Sequence, residues 1–392
     1  MGDGAYQMTF LIQIPQLIFG GAEKVLVSFS NCLVEHGHDV EILEIYERGL
    51  IKEQFDPRVN FSTICGKDYS KKYYASMSDI KAEKKFTQKC VKLSKLAFSK
   101  VVGYRRFAEK LAAKRYKDKH FDVAINYLEC DSPEFILKHI SADKYLQWIH
   151  TDVKNMDNPH ELDKYFKLYE KMNHIFCVSN SARQSFTEMY PSLTEKTSTL
   201  YNFFDSETIV QKSLESFEFT SQKPVLLSVG RLTTPKQYPR FLSVLARLRD
   251  DGYSFSWHVL GTGAERKQIE KKIDELELRD CVFLDGVTNN PYKYIRACDL
   301  FVLPSGWEGF PTVTVEAKLI GKPVLATDVS GIREQIIDGE TGMIVGNNEE
   351  ALYNGLKYLL NTPSILDRIC DNSEIIKICN NECKYHDFIN QL

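Results

Sequence analysis

No stretch of this sequence approaches the roughly 18 consecutive apolar residues that a bilayer-crossing helix needs. The apolar run near the start, Phe10 to Ile14, stops at Pro15, follows Asp3 and has no lysine or arginine before it, so it is not read as a secretory signal. The first seven residues read as a tail. The ten cysteines include no Cys-x-x-Cys pair and no paired spacing that suits zinc. Cys379 and Cys383, four apart, are expected to be packing residues on one helix face. Scattered thiols in a chain this long fit a reducing cytoplasm. A net charge of −3 excludes a polyanion binder in which the whole molecule is the attractor. No Asp-x-Asp motif stands at a strand end in a place that suggests a metal. A full dinucleotide fingerprint would need a glycine at 266, where Arg266 stands.

What is present is an ordinary soluble composition, 43% hydrophobic and 26% charged over 392 residues, enough for two domains with sizeable cores. Short apolar runs alternate with amphipathic patterns. The first half predicts strands at 10–14, 39–46, 123–127, 145–149 and 175–179. Its helices are predicted over 22–35, 161–172 and 182–190. The turn Gly20-Gly21 leads into the first of these. After a polar stretch with little periodicity the rhythm restarts, with strands at 225–229, 255–260, 282–284, 300–303, 323–327 and 343–345. Alternation of this kind argues for α/β units with parallel sheets covered on both faces. The expected division is a first Rossmann-like domain over 1–205, a linker over 206–222, a second Rossmann-like domain over 223–370, and a C-terminal helix over 371–392 that returns to the first domain.

Residues 71–119 break the pattern with 16 lysines and arginines against four acids. Phe86, Cys90, Leu93, Ala97, Val101, Tyr104, Phe107 and Leu111 recur every three or four positions, which predicts one apolar stripe on a basic helix pair. Such a helix can lie on an anionic membrane, and its stripe can equally pack into the domain. No nucleic-acid module accompanies it, so a nucleic-acid partner is not expected.

The residues suited to chemistry cluster in the second half. A strand ending at Pro304 is followed by the turn Ser305-Gly306-Trp307-Glu308-Gly309-Phe310 and a helix starting near Pro311 or Thr312. Unpaired amides at a helix start, reinforced by the helix dipole, make an anion seat that suits a diphosphate. Glu308 and Glu316 border that seat and suit hydroxyl donors such as a sugar and a ribose. Arg231 and Lys236 follow an early strand and offer a planar fork and a point charge for phosphate. Gly261-Thr262-Gly263 follows the next strand and is a weak signal alone.

Together with Gly20-Gly21-Ala22-Glu23, His150, Val178-Ser179-Asn180-Ser181, Gly321-Lys322-Pro323-Val324, Gly331 and Asp338-Gly339-x-x-Gly342, these residues make the chain resemble the retaining glycosyltransferases of family four. That resemblance implies the GT-B fold, two Rossmann-like domains facing across a cleft. It implies that Arg231 and Lys236 neutralise the diphosphate of a UDP-sugar and that Glu316 holds the ribose. Glu308, with the amides of Gly309 and Phe310, would hold the transferred sugar and leaving phosphate. Pro311 and Thr312 would form the helix start of the seat, and Gly261 and Gly263 would border the donor. Gly20 and Gly21 would let the first domain approach the phosphates, with His150 beside the sugar. It further implies transfer without a metal or other cofactor to an acceptor hydroxyl. The basic insert 71–119 points to a glycan acceptor carried on a membrane lipid, at the inner face of the cell membrane. Gln237, where the family usually has glycine, and Lys318-Leu319-Ile320, where it has small residues, are departures. A sugar-nucleotide epimerase or a non-catalytic nucleotide-sugar binder of the same fold are the alternatives; the residue at 266 argues against a nicotinamide oxidoreductase.

Overall fold

The computed structural model describes residues 7–18, 20–49, 51–66, 87–89, 104–156 and 158–392. In the first lobe β1 (Thr9–Ile14) leads into α1 (Gly21–Glu35), then β2 (Asp39–Tyr46) and β3 (Asn60–Cys65). After α2 (Tyr104–Arg115) come β4 (His120–Asn126), β5 (Ser141–Ile149), β6 (His174–Cys177), α3 (Asn180–Met189) and β7 (Thr197–Thr199). These strands form one sheet in the order β3-β2-β1-β4-β5-β6-β7, every pair parallel. The central strands are apolar along most of their length because helices cover both faces. Three buried amides break that rule: Gln13, Asn126 and Gln147 lie on adjacent strands and bond in series at 2.9 and 2.8 Å.

The second lobe begins after α4 (Ser206–Ser213). Its strands are β8 (Val225–Val229), β9 (Ser256–Leu260), β10 (Val282–Gly286), β11 (Leu300–Leu303), β12 (Val324–Thr327) and β13 (Met343–Val345). They pair in parallel in the order β10-β9-β8-β11-β12-β13. The helices α5 (Tyr238–Asp250) and α6 (Thr312–Leu319) follow β8 and β11. In both sheets the winding reverses beside the first strand, between β1 and β4 and between β8 and β11. That is where open α/β sheets take ligands, beyond the carboxyl ends of the strands. The chain ends in α7 (Asn381–Asn390), which returns to the first lobe. Phe388 is fully buried there, 5.2 Å edge-on to Phe29 and 5.7–6.0 Å from Phe176, Trp148 and Phe10.

Several elements differ from the sequence reading. Strands β3 and β7 lie at the edges of the sheet, where β3 is only half buried and β7 is three residues long, so neither carries a strong apolar run. The helix expected over 161–172 is a tighter 3-10 stretch, Pro159–Tyr165, followed by a single short turn of α-helix. The stretch expected to be a linker holds α4, whose first turn is capped by Asp205 accepting from the Thr208 amide at 2.9 Å. Cys379 and Cys383 sit on separate helices, because Asn380 caps α7 between them; the first is buried and the second exposed. Of the basic insert, Phe86, Cys90, Leu93, Ala97 and Val101 lie outside the described residues. The side chains of Tyr104 and Phe107 likewise lie outside what is described; among the described side chains of α2, Ala108 and Ala112 are buried, continued by Tyr116, while Leu111 is 49% exposed. Tyr116, just beyond the helix, bonds both Ser62 and Glu41 at 2.6 Å.

Candidate active site

The loops after β1, β4 and β5 meet the loops after β8 and β11 across one cleft. Glycines set the closeness of that meeting. A Cβ on Gly309 would lie 2.1 Å from the His150 carbonyl oxygen, and one on Gly21 would lie 2.7 Å from Thr312 Oγ1. Ser179 Oγ also donates to the Gly309 carbonyl at 2.8 Å. The first turns of α1 and α6 are thereby brought face to face. Neither N-cap residue caps its helix with a side chain. The α6 start therefore offers unpaired amides and a positive dipole end, while at α1 the Glu23 carboxylate folds back over Gly20 and accepts from its own amide. Pro311, at the N-cap of α6, is buried. Phe310 is buried in an apolar core shared by both lobes, its ring 5.4 Å from that of Tyr201, so its side chain builds the cleft wall.

On the second lobe, Lys236 Nζ donates to Glu308 Oε1 at 2.7 Å, and Ser305 Oγ donates to the same oxygen at 2.7 Å. This pins both charges at the base of the turn. Gly261, at φ +153°, and Gly263 act by close packing: a Cβ on either would fall about 2 Å from the carbonyl oxygen of Gly230 or Leu232, at 1.9 and 2.2 Å respectively. They seat the loop after β9 against the loop that carries Arg231. Arg231 is exposed, and its charge reaches Glu23 on the opposite lobe, where it opposes the upward push that burial exerts on the Glu23 carboxyl. Gln237 has φ +50° and ψ +32°, which explains why glycine suits this position; its Nε2 donates to Thr234 O at 3.0 Å. The other departure is also accommodated. Lys318 is almost fully buried and donates to the carbonyls of Thr341 and Ile369, the latter at 3.0 Å. Burial holds its amine down to about 8.

Glu316, 3% exposed, lies one turn into α6. Its Oε1 is 3.3 Å from Lys24 Nζ on α1 and 3.5 Å from the Tyr292 hydroxyl. Its Oε2 is buried without a hydrogen-bond partner among the described residues. His150 follows β5, with its ring 4.7 Å from the Tyr127 ring. Its Nε2 is likewise buried and unpartnered among the described residues. Burial pushes the imidazole down to about 3, so it is neutral at physiological pH and can offer a hydrogen bond but no charge. Its backbone amide donates to Glu129 Oε2 at 3.1 Å, and burial lifts the Glu129 carboxyl to about 7.

The structure thus gathers Arg231, Lys236, Glu308, Glu316, His150, Gly20, Gly21, Gly309 and Thr312 around one cleft, with Gly261 and Gly263 behind the wall. Sequence reading missed Lys24, Glu129 and Glu334. Lys24 had a signal, its place in the helical turn that follows Gly20-Gly21. Glu129 had none, since it acts by accepting a backbone amide from a distant strand end. Glu334 explains the run 178–181: it accepts from the amides of Asn180 and Ser181 at 2.9 and 3.0 Å, and from Ser181 Oγ and the Tyr201 hydroxyl at 2.8 Å each. A carboxylate of one lobe therefore caps a helix of the other.

Two parallel-sheet Rossmann-like lobes with their switch points facing one cleft define the GT-B fold. The sequence model of the family Glycosyl transferases group 1 matches residues 210–375, which hold the second sheet and its loops. The chain is 35% identical over 195 residues to the N-acetylgalactosamine-N,N'-diacetylbacillosaminyl-diphospho-undecaprenol 4-alpha-N-acetylgalactosaminyltransferase of Campylobacter jejuni. That match takes in 49% of this chain and about half, 52%, of the relative's length. It is 24% identical over 365 residues, 91% of both chains, to an uncharacterized glycosyltransferase of Haemophilus influenzae. A mutant form of S. aureus TarM, solved with fondaparinux, alpha-GlcNAc-glycerol and UDP, superposes with a TM-score of 0.76 at 15% identity over 98% of this chain and 99% of its own.

Proposed function

We propose that this protein is a retaining glycosyltransferase that moves a sugar from a UDP-sugar to a hydroxyl of a lipid-linked glycan acceptor in surface polysaccharide or glycoconjugate synthesis. The observation that carries the reading is the pairing of the α1 and α6 N-termini across a cleft flanked by Arg231 and Lys236. Arg231, Lys236 and the α6 start bring positive charge to where a diphosphate would leave, and the α1 start adds to it beside Glu23. The unpartnered Glu316 Oε2 and His150 Nε2 suit a ribose hydroxyl and a sugar hydroxyl. The family match over the second lobe and the solved relative with UDP support a nucleotide donor. The relative whose name includes diphospho-undecaprenol supports a lipid-linked acceptor.

The chemistry follows from charge. As the glycosidic bond to the β-phosphate stretches, negative charge grows on the departing UDP. Arg231, Lys236 and the α6 amides are already aimed there and need no reorganisation, and removing one such donor costs about 2.7–4 kcal/mol of barrier. Lys236 keeps its position through Glu308, which also lies where the transferred sugar would sit. The leaving phosphate takes the acceptor proton on the same face, so no carboxylate serves as a covalent nucleophile and no metal takes part. In an assay with UDP-sugars, a glycan-lipid acceptor and a chelator, Arg231→Ala and Lys236→Ala should each lose about 100-fold or more in kcat/KM while the wild type keeps the α configuration in its product. Full activity in both variants would reject the site.

We further propose that α2 rests on an anionic membrane at the inner face of the cell. Arg106, Lys110, Lys114 and Lys117 are all exposed on or just beyond it, and Leu111 lies exposed among them. Cations near a charged surface contribute about 1 kcal/mol each. Anionic vesicles should bind the protein at low salt and release it at high salt; absence of low-salt binding removes this part of the reading.

A further inference from the structure

Lys24 lies at the end of the first turn of α1, three residues after Gly21, which lets this helix touch Thr312. Its ammonium is 3.3 Å from Glu316 Oε1 and 5.1 Å from the Tyr292 ring centroid. The lysine side chain is 32% exposed, whereas that of Glu316 is 4% exposed. The contact is longer than the 2.7 Å bond that fixes Lys236 to Glu308 and longer than charge-assisted bonds usually are. The longer bond belongs to a side chain with a flexible four-carbon stem and partial access to water. The carboxylate it meets still has an unpartnered buried oxygen.

We propose that Lys24 is a further donor-binding residue that exchanges partners: without nucleotide it neutralises Glu316 across the cleft, and when a nucleoside diphosphate enters, its ammonium turns to the diphosphate. This rests on the nucleotide-sugar reading above and deepens it. The physical drive is charge matching. Ribose hydroxyls are neutral donors that can satisfy both oxygens of Glu316, which frees the ammonium. A free ammonium facing the uncapped α6 start is repelled by it, and a diphosphate in the same space relieves both at once. Lys24 comes from the opposite lobe to Arg231 and Lys236, so the exchange also ties phosphate binding to contact between the lobes.

The test compares UDP with uridine, which carries the ribose without the phosphates, by calorimetric titration. Lys24→Met should raise the Kd for UDP about tenfold and should not raise the Kd for uridine, whose ribose no longer has to displace the ammonium from Glu316. Lys24→Arg, which keeps the charge, should restore most of the UDP affinity and guards against misfolding of the first variant. Equal weakening for UDP and uridine would mean that Lys24 merely orients Glu316. Unchanged or tighter UDP binding would make it a plain competitor. Either result overturns the proposal. A wild-type protein that binds neither UDP nor uridine, with Arg231→Ala equally silent, would overturn the nucleotide reading itself and this proposal with it.

Discussion

Glu129 shows how a single buried carboxyl can couple a cleft to pH. It follows β4, is 6% exposed, and accepts the amide of His150. Burial raises its pKa from the ordinary 4.5 to about 7, the first cause being desolvation. In the unfolded chain the group ionises from about pH 4.5, while in the fold it stays protonated until about 7. Its contribution to stability is therefore present at low pH and falls as pH rises through that window. Glu129→Gln removes the titration but keeps an acceptor for the amide. Urea midpoints measured from about pH 5 to 8 should show the variant gaining on the wild type as pH rises; parallel midpoints would sink the assignment. His150 is pushed the other way and is unchanged between the two proteins, so it cancels in the comparison.

At the scale of elements, the informative unit is the start of α3. Ser179 caps it by accepting from Ala182 N at 3.0 Å and also donates to Gly309 of the other lobe. Glu334 then adds a carboxylate at the positive end of the helix. Glu334→Ala should lower stability by about 1–2 kcal/mol, the usual range for a lost cap, read from guanidinium unfolding. It should also lower transfer activity, because it loosens the two lobes where they meet. Wild-type stability and activity together would show that the contact is incidental. The strands and main helices around this unit were legible in the sequence because apolar runs bounded by Gly and Pro survive any tertiary context. The short edge strands β3 and β7 were not, since their stability comes from neighbours and not from their own pattern. In α2 Ala108 and Ala112 are buried and Tyr116 bonds Ser62 and Glu41 at the sheet edge, while Leu111 is exposed, a pairing of burial and exposure that spacing alone did not fix.

At the scale of the molecule, one chain crosses between lobes twice. The segment Leu200, Phe203 and Phe204 shares a core with Phe310, Val315 and Leu319 of the second lobe and with Phe388 near the C-terminus. Lys384 is buried beside them, donating to the Asn202 carbonyl at 2.6 Å with its ammonium 5.1 Å from the Phe203 ring centroid. The last helix is thus part of the first lobe's core. Phe388→Ala should cost about 3–5 kcal/mol, the range for removing a buried aromatic ring, and should destabilise the protein as a whole. A loss below about 1 kcal/mol would mean that the helix is a removable appendage.

By itself the sequence determined two α/β units with ligand-bearing turns after their early strands, because periodicity, glycine turns and helix-start signals are local properties. It also determined the chemical types at the cleft, Arg231, Lys236, Glu308, Glu316 and His150. Tertiary structure alone decided which of these touch. Lys24 and Glu316 are 292 residues apart, and Glu334 meets the start of α3 across the lobe boundary. Whether His150 carries charge was likewise decided only by burial. Pairings and desolvation arise from the packing of distant segments, and no spacing along the chain records them.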